Sequence, residues 1–239
     1  MCVAAIAWKA HPRWRLVAIA NRDEFHERET APLSTWDDGS GIVAGKDLRA
    51  GGTWLGVGPQ QRFALVTNFR KEGYPRPGLA SRGALVSGWL RGEADGDFGA
   101  MNPFHVLRAD ADRLEHVTNV PTAECRALEP GIHGVSNGAF DTPWAKTMGL
   151  TEALSTWLAN DDDDVSRLFA ALADETPLPA EPDSEGPDLR FSPVFIRNPD
   201  YGTRCSTVVM MGRDGGGRVI ERGFDRSGNP IGEIKIELV

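Results

Sequence analysis

The sequence predicts an α+β protein, because strand patterns occupy both ends of the chain and helical patterns lie between them. Short apolar runs bounded by glycine- or proline-containing turns indicate antiparallel strands. In the middle of the chain, apolar residues recur at helical spacing. Strands and helices are therefore segregated rather than alternating, which favours α+β over βαβ architecture. A length of 239 residues suits one large domain, and we expect a single domain over 1-239.

Composition limits the partners and the compartment. The formal charge is -8 and there is no run rich in lysine and arginine, so nucleic acid is not an expected partner. Cys2, Cys125 and Cys205 are widely spaced without a CxxC pair, so neither a disulfide framework nor a metal site is predicted. No leader-like segment and no apolar run of membrane-spanning length is present. We expect a cytoplasmic protein without integral membrane association, and the oligomeric state stays open.

The first predicted element is a hairpin of two apolar runs, residues 2–8 and 14–20, on either side of Pro12. Residues 21–25, of which the first four are charged or amide side chains, follow the second run directly. They are either a solvated loop or the rim of a site. A long loop rich in proline, glycine and aspartate is then expected to reach about residue 50.

The elements that follow are predicted from the glycine and proline residues that mark turns and from the spacing of the apolar residues. Asp161 to Asp164 precede a helix and are interpreted as capping, because acidic side chains favour the positive end of the helix dipole. The remaining predicted elements are a hairpin of 51–57 and 63–69, a helix from an N-cap at Ser81 to Leu90, strands 104–109, 114–119 and 132–137, helices 143–159 and 165–173, an irregular loop over 176–190, and strands 207–212, 218–225 and 233–238.

Cys2 is the candidate nucleophile. Because cysteine is small, removal of the initiator methionine is expected to leave Cys2 as the first residue, with a thiol and a free α-amine on one carbon. An α-amine titrates at about 7.7–8.0 and can take the proton of a thiol near neutral pH, as N-terminal amines activate nucleophiles in some hydrolases. The alternative is that Cys2 is a small buried residue that opens a strand.

Two other kinds of site are not supported. Gly41–Lys46 resembles a phosphate-binding loop, but Ser40 stands where glycine is required and Asp47 where serine or threonine is required. The five histidines have no HExxH spacing, and only His26, near the acidic cluster, is a candidate for function.

A set of polar residues lies at the ends of the apolar strands. Asparagine is disfavoured within strands, and its amide can donate a hydrogen bond to a developing oxyanion. Taken singly, each asparagine is more often a turn or cap residue than a functional one. Together with an N-terminal thiol they predict one site, whose members are Cys2, Asn21, Asp23, Asn68, Asn137 and Arg204.

Several motifs closely resemble those of the NRDE family, which includes the eukaryotic transport and Golgi organisation proteins. The resemblance extends over nearly the whole chain. The residues that carry it are Met1-Cys2, Asn21-Arg22-Asp23-Glu24, Gly51-Gly52-Thr53-Trp54-Leu55-Gly56, Ala64-Leu65-Val66-Thr67-Asn68-Phe69-Arg70, Ser81-Arg82-Gly83 and His133-Gly134-Val135-Ser136-Asn137-Gly138.

The order of polar residues is similar, more distantly, to that of the N-terminal cysteine hydrolases that act on linear amides: penicillin V acylases, bile salt hydrolases and acid ceramidase. This resemblance implies an N-terminal nucleophile (Ntn) fold, a four-layer αββα sandwich with two mainly antiparallel sheets. It also implies Cys2 as the nucleophile and Asp23 as the residue that contacts the nucleophile end of the chain. The arginine that precedes the asparagine in those enzymes falls on Ala20 here.

The same resemblance implies roles for three residues later in the chain. Asn137, in Ser136-Asn137, would be an oxyanion donor, and Asn68 a second oxyanion or substrate contact. Arg204 matches a late arginine, which would lower the pKa of the thiol or hold a carboxylate.

The resulting expectation is an N-terminal cysteine hydrolase that cleaves a linear amide or related acyl bond through a Cys2 acyl-enzyme and requires no cofactor. Its partner would be a small-molecule acyl or amide substrate. The alternative is a non-catalytic haem- or lipid-binding trafficking protein on the same fold, with Cys2 or His26 as the iron ligand. A third reading is a structural domain with an unused pocket. The residues expected to contact substrate are Asn21, Arg22, Trp54 and Phe69.

Overall fold

A computed structural model describes residues 2–160, 163–178 and 189–238. Its elements are, in chain order, β1 (Val3–Trp8), β2 (Trp14–Phe25), β3 (Thr30–Thr35), β4 (Val43–Asp47), β5 (Leu55–Gly58), β6 (Arg62–Asn68), α1 (Gly83–Arg91), β7 (Phe104–Ala109), β8 (Leu114–Thr118), β9 (Glu124–Leu128), β10 (Gly131–Val135), α2 (Ala145–Ala159), α3 (Ser166–Leu172), β11 (Tyr201–Gly212), β12 (Gly217–Phe224) and β13 (Pro230–Leu238).

The chain divides into two compact units, and each is described by itself. The first unit comprises Met1–Glu27 with Pro130–Val239, and the second comprises Arg28–Glu129. The expectation of a single domain stays a prediction. Most of the predicted loop over 176–190, and the first half of the acidic run, lie outside the described residues.

The first unit contains a six-stranded antiparallel sheet in the order β10-β1-β2-β11-β12-β13. The predicted N-terminal hairpin is confirmed, and β1 is buried along its whole length, as its unbroken apolar sequence requires. Alternate residues of β1 and β2, namely Val3, Ala5, Val17 and Ile19, share one hydrophobic cluster with α2 and α3. One face of this sheet therefore packs against the two helices.

Strand β2 is five residues longer than the sequence predicted. Residues 21–25 were expected to form a loop or rim, but they continue the strand to Phe25. The reason is that β11 pairs with β2 from Tyr201 opposite Phe25 to Gly212 opposite Trp14. This long-range pairing satisfies the backbone of the polar segment and brings its first three side chains into the interior.

The second unit contains a seven-stranded antiparallel sheet in the order β3-β4-β5-β6-β7-β8-β9. The prediction of a long loop up to about residue 50 is wrong, because β3 and β4 lie within it, and β9 was also missed. β3 and β9 are the two edges of the sheet. β9 is almost entirely exposed, and Leu33 is the one buried residue of β3. Exposed edge strands lack the apolar alternation by which strands are predicted.

Helix α1 packs on the second sheet through a close approach to glycine. A Cβ atom on Gly58 would lie 2.5 Å from the carbonyl oxygen of Leu90, and one on Gly52 would lie 2.6 Å from the carbonyl carbon of Gly83. Both positions therefore exclude a side chain. The helix begins at Gly83, and Ser81 is not its cap as predicted: the N-cap residue is Arg82, without a capping side-chain hydrogen bond.

The predicted α+β class is confirmed, with two large antiparallel sheets and three α-helices among the described residues. Within those residues, no helix has both the length and the hydropathy that a membrane span requires.

Candidate functional site

Four residues of the first unit lie in one row across its sheet. Val3 is opposite Asn21, so the next pair towards the N-terminus is Cys2 with Arg22. On the other side Ala4 is opposite Val135, where β10 ends. Extending that register by two residues would bring Asn137 opposite Cys2, and we infer this position from the register. Arg22 in turn is opposite Cys205 on β11. We call Asn137, Cys2, Arg22 and Cys205 the Cys2 row.

A hydrogen bond supports the register at the end of β1. Ser136 Oγ donates to the backbone oxygen of Cys2 at 3.1 Å, which holds the segment after β10 beside the candidate nucleophile. Residues directly opposite one another in an antiparallel sheet point to the same face, with Cβ atoms about 4.5–5.5 Å apart. The row therefore places an amide and a guanidinium on either side of the Cys2 thiol.

The Asn21-Arg22-Asp23 segment is divided between the two faces of the sheet. Asn21 follows Val17 and Ile19 at a spacing of two, so it points towards the helices, and Asp23 does the same. Arg22 points to the opposite face with the rest of the Cys2 row. The segment therefore places Asn21 and Asp23 on the helix-facing side of the sheet and the cation of Arg22 on the other side.

The members of the Cys2 row are almost completely buried. Cys2 is 9 % exposed, and burial raises the pKa of its thiol. The charge of Asp23 raises that pKa further, whereas a hydrogen bond from the Asp23 backbone and the charge of Arg22 lower it. Arg22 is 8 % exposed and makes no hydrogen bond or ion pair with any residue that the structure describes.

Asp23 is held by the neighbouring strand β11. Its Oδ1 accepts a 2.7 Å hydrogen bond from Thr203 Oγ1, and its backbone oxygen accepts one of 2.7 Å from the hydroxyl of Tyr201. Thr203 Oγ1 also accepts from the Ile196 N–H at 2.9 Å. Burial raises the pKa of the Asp23 carboxyl to about 6, against the opposing effects of Lys146 and the Thr203 hydrogen bond. The carboxylate form is therefore present at neutral pH.

Asn21 is completely buried and all of its amide is used inside the protein. Its Nδ2 donates to the carbonyl oxygens of Leu172, at the end of α3, and Val194, at 2.7 and 2.9 Å. Its Oδ1 accepts from Ser206 Oγ at 2.6 Å. These contacts tie α3 and the segment before β11 to the sheet, so Asn21 is suited to hold the site together. The predicted substrate contact by Asn21 stays a prediction.

Arg204 occupies a β-bulge, since Thr203 is opposite Asp23 and Cys205 is opposite Arg22. Its Nη1 donates to the backbone oxygens of Phe25 and His26, at 3.0 and 3.4 Å. Burial lowers the pKa of Arg204, and the charge of Arg22 lowers it further. Two arginines therefore lie near one another at the end of β2, and the bulge sets the direction of the second.

Lys146 is a residue of this region that the sequence analysis did not select. It is 2 % exposed, its Nζ donates to the backbone oxygen of Phe191 at 3.4 Å, and its charge lowers the pKa of Asp23. The sequence did contain an indication that Lys146 is buried. Lys146 precedes the buried Leu150 and Leu154 at intervals of four residues, so it lies on the buried side of α2.

The predicted site residues do not all belong to one unit. Cys2, Asn21, Arg22, Asp23, Asn137 and Arg204 are in the first unit, where Asn137 is 1 % exposed. In the second unit, Asn68 is the exposed last residue of β6, Trp54 packs against the core beside α1, and the ring of Phe69 makes an edge contact with His105.

His26 is nearly buried at the boundary of the first unit. Its Nε2 lies 3.0 Å from the backbone oxygen of Asn198, and its Nδ1 has no hydrogen-bond partner in the described protein. Only a neutral ring that carries its proton on Nε2 can donate to this carbonyl while leaving Nδ1 as an acceptor.

The chain matches the family model described as Transport and Golgi organisation 2 over residues 1–226. It belongs to that family. Among curated relatives, the Transport and Golgi organization protein 2 homologs of Bos taurus and Homo sapiens are each 30% identical over 251 and 258 residues, with 90% of both chains covered. The Drosophila melanogaster protein of the same name is 25% identical over 250 residues, with 88% of each chain covered.

The similarity of this protein to solved structures concerns the fold alone. A conjugated bile acid hydrolase from Clostridium perfringens superposes with a TM-score of 0.55 at 9% identity, covering 99% of this chain and 92% of that one. A Caenorhabditis elegans N-acylethanolamine-hydrolyzing acid amidase ortholog covers 87% of this chain and 92% of its own, at 12% identity and a TM-score of 0.49. The superposition with the bile acid hydrolase confirms the expected Ntn-hydrolase-like α+β fold, and the family model confirms the expected family.

Proposed function

We propose that this protein is an N-terminal cysteine hydrolase that cleaves a linear amide or a related acyl bond. The observation that carries the proposal is the Cys2 row, in which a buried thiol lies between an amide donor and a guanidinium. Asp23, on the neighbouring strand β2, adds a carboxylate that can orient the N-terminal amine. A thiol, an amine-orienting acid and an amide donor are the parts of covalent acyl transfer.

The reaction begins after removal of Met1. The Cys2 α-amine, oriented by Asp23, takes the thiol proton, and the thiolate attacks the substrate carbonyl carbon. Asn137, with a backbone N–H as second donor, stabilises the oxyanion of the tetrahedral intermediate. The C–N bond then breaks as the Cys2 ammonium gives its proton to the leaving amine.

The acyl-enzyme is next hydrolysed. The free Cys2 amine takes a proton from water, the hydroxide equivalent attacks the thioester, and the thiolate leaves with that proton. The carboxylic acid departs and the thiol is restored. Arg204, directed by its bulge, holds a carboxylate of the substrate or lowers the pKa of the thiol.

The fold likeness is consistent with this chemistry. The bile acid hydrolase is named for hydrolysis of a conjugate, and this chain shares its fold over almost its whole length. At 9% identity the likeness extends to architecture alone. The substrate proposed here is therefore defined by its reacting bond, a linear amide, and not by a named acyl group.

The test is the reactivity of Cys2 in a Cys125→Ser background, which removes the exposed thiol. The intact mass should show loss of Met1, and iodoacetamide should modify Cys2 faster than a free cysteine peptide at pH 7. A panel of N-acyl p-nitroanilides of increasing chain length should then be hydrolysed by this protein and not by its Cys2→Ala variant. Retention of Met1, or equal rates of hydrolysis by the two proteins, contradicts the proposal.

Haem or lipid binding on the same fold is the second candidate. Of the two expected iron ligands, His26 has its Nε2 3.0 Å from the backbone oxygen of Asn198, so binding of iron through that nitrogen would break this contact. A haem titration of the native protein and of the Cys2→Ala and His26→Ala variants separates the candidates. A Soret shift that depends on either residue, without amide hydrolysis, favours binding.

A further inference from the structure

We propose that Arg22 is the cation that pairs with the thiolate of Cys2, so that the second residue of the Asn21-Arg22-Asp23 segment activates the nucleophile. This inference rests on the proposed function, because it concerns the ionised form of the same cysteine. It assigns Arg22 to the thiol itself rather than to substrate. The step is a proton transfer from the Cys2 sulfur to its own α-amine, which leaves a thiolate beside a guanidinium.

The sheet register provides the geometry. Arg22 lies between two cysteines of the Cys2 row, with Cys2 on the β1 side and Cys205 on the β11 side. All three point to the same face of the sheet, because directly opposed residues share a face. The charge of Arg22 accordingly acts on both thiols and lowers the pKa of each.

Among the described residues no carboxylate is hydrogen-bonded to or ion-paired with Arg22, although the charge of Arg22 lowers the pKa of Asp23. The Arg22 side chain is 8 % exposed. A buried charge without a counter-ion is costly and is normally paired. The groups on its own row that can become anions are the thiols of Cys2 and Cys205.

Cys2 and Cys205 differ in what else they face. The side chain of Glu221 hydrogen-bonds to Cys205, and burial together with the Glu221 charge holds the pKa of Cys205 well above its usual range. That thiol therefore stays protonated. Cys2 has no carboxylate on its row, and the Asp23 backbone N–H hydrogen-bonds towards its sulfur. Burial raises the pKa of Cys2 as well, but no carboxylate hydrogen-bonds to its sulfur, so Cys2 is the better partner for Arg22.

Other charges near the row act in opposing directions. Asp23, on the helix-facing side of β2, disfavours the Cys2 thiolate. Lys146, from α2, acts on Asp23 and so weakens that effect. Arg204, from β11, lies close enough to Arg22 for the charge of Arg22 to lower the pKa of Arg204.

The experiment measures the rate of Cys2 alkylation by iodoacetamide between pH 5 and pH 10 in the Cys125→Ser background, with the modified site identified by mass spectrometry. Arg22→Gln should move the midpoint of the profile up by about one pH unit, which is roughly a tenfold slower reaction at pH 7. Arg22→Lys should restore most of the native profile. Arg13→Gln, which removes an exposed arginine of the same unit, should leave it unchanged.

An Arg22→Gln profile that coincides with the native one overturns the inference. Should that variant fail to fold, Arg22→Lys decides, because a midpoint close to the native value supports a charge effect and a shift of a full unit or more contradicts it. The readout needs no turnover. A shifted profile without amide hydrolysis would refute the proposed function alone, and hydrolysis with an unshifted profile would refute the role of Arg22 alone.

Discussion

Thr203 Oγ1 donates a 2.7 Å hydrogen bond to Asp23 Oδ1 between two directly opposed residues of β11 and β2. The next residue, Arg204, is extruded as a bulge, so the pairing partner of Arg22 is Cys205. This one irregularity lets Thr203 orient the carboxylate on the helix-facing side while Arg22 and Cys205 share the opposite side. The bulge is therefore the feature that arranges the charges around Cys2.

Asp23 should make the stability of the protein fall as pH rises from about 4 to about 6. Its folded-state pKa of about 6 exceeds the ordinary 3.8, so the folded protein binds this proton more tightly than the unfolded chain. The stabilisation is present below about pH 4 and is lost above about pH 6, on the order of 3 kcal/mol in total. Asp23→Asn keeps an oxygen for Thr203 and should remove this component. Urea unfolding at several pH values measures it, and an unchanged pH dependence in the variant would refute the assignment.

Lys146→Met should move the acidic limb of the activity profile to higher pH. Lys146 lowers the pKa of Asp23, so its removal raises that pKa and delays formation of the carboxylate. The side chain is buried, and methionine retains most of its length. The measurement is kcat/KM for a p-nitroanilide between pH 5 and pH 8. A lower kcat at every pH with an unmoved limb would indicate a purely structural role.

Asn21→Ala should lower the free energy of unfolding by about 3 kcal/mol, because it leaves two buried carbonyl groups and the Ser206 hydroxyl without their partner. Ser206→Ala should cost less, since one hydrogen bond is lost. Asn160→Ala removes an exposed asparagine that bonds to Thr156 and should cost under about 0.5 kcal/mol. Urea denaturation compares the three variants. Equal losses for Asn21→Ala and Asn160→Ala would rule out the anchoring role.

Asn137→Ala should lower kcat on the order of 10²–10³-fold if Asn137 donates to the oxyanion. KM should change little, because the interaction forms in the transition state. The parallel Asn68→Ala variant tests the second predicted donor, and Asn160→Ala serves as the control. A rise in KM without loss of kcat in Asn137→Ala would instead identify a ground-state contact.

The sequence predicted the buried strands and helices better than the exposed ones. The buried hairpin of β1 and β2 and the apolar stripe of α2 were predicted because their residues alternate or repeat with the period of the element. The edge strands β3 and β9 were missed because exposed strands carry no such pattern. Strand β2 was cut short because its polar end is strand only through its pairing with β11.

The candidate site, too, was predicted from the sequence only in part. The sequence alone was sufficient for the family, through residue identities in a fixed order, and for the α+β class, through segregated strand and helix patterns. It also selected Cys2, Asp23 and Asn137, whose roles stay predictions. Tertiary structure decided which of them share a row, that Arg22 faces away from Asn21 and Asp23, and that Lys146 and Thr203 act on Asp23. Register, a one-residue bulge and the burial of charge arise from contacts between segments far apart in the chain. No local pattern of residues encodes them.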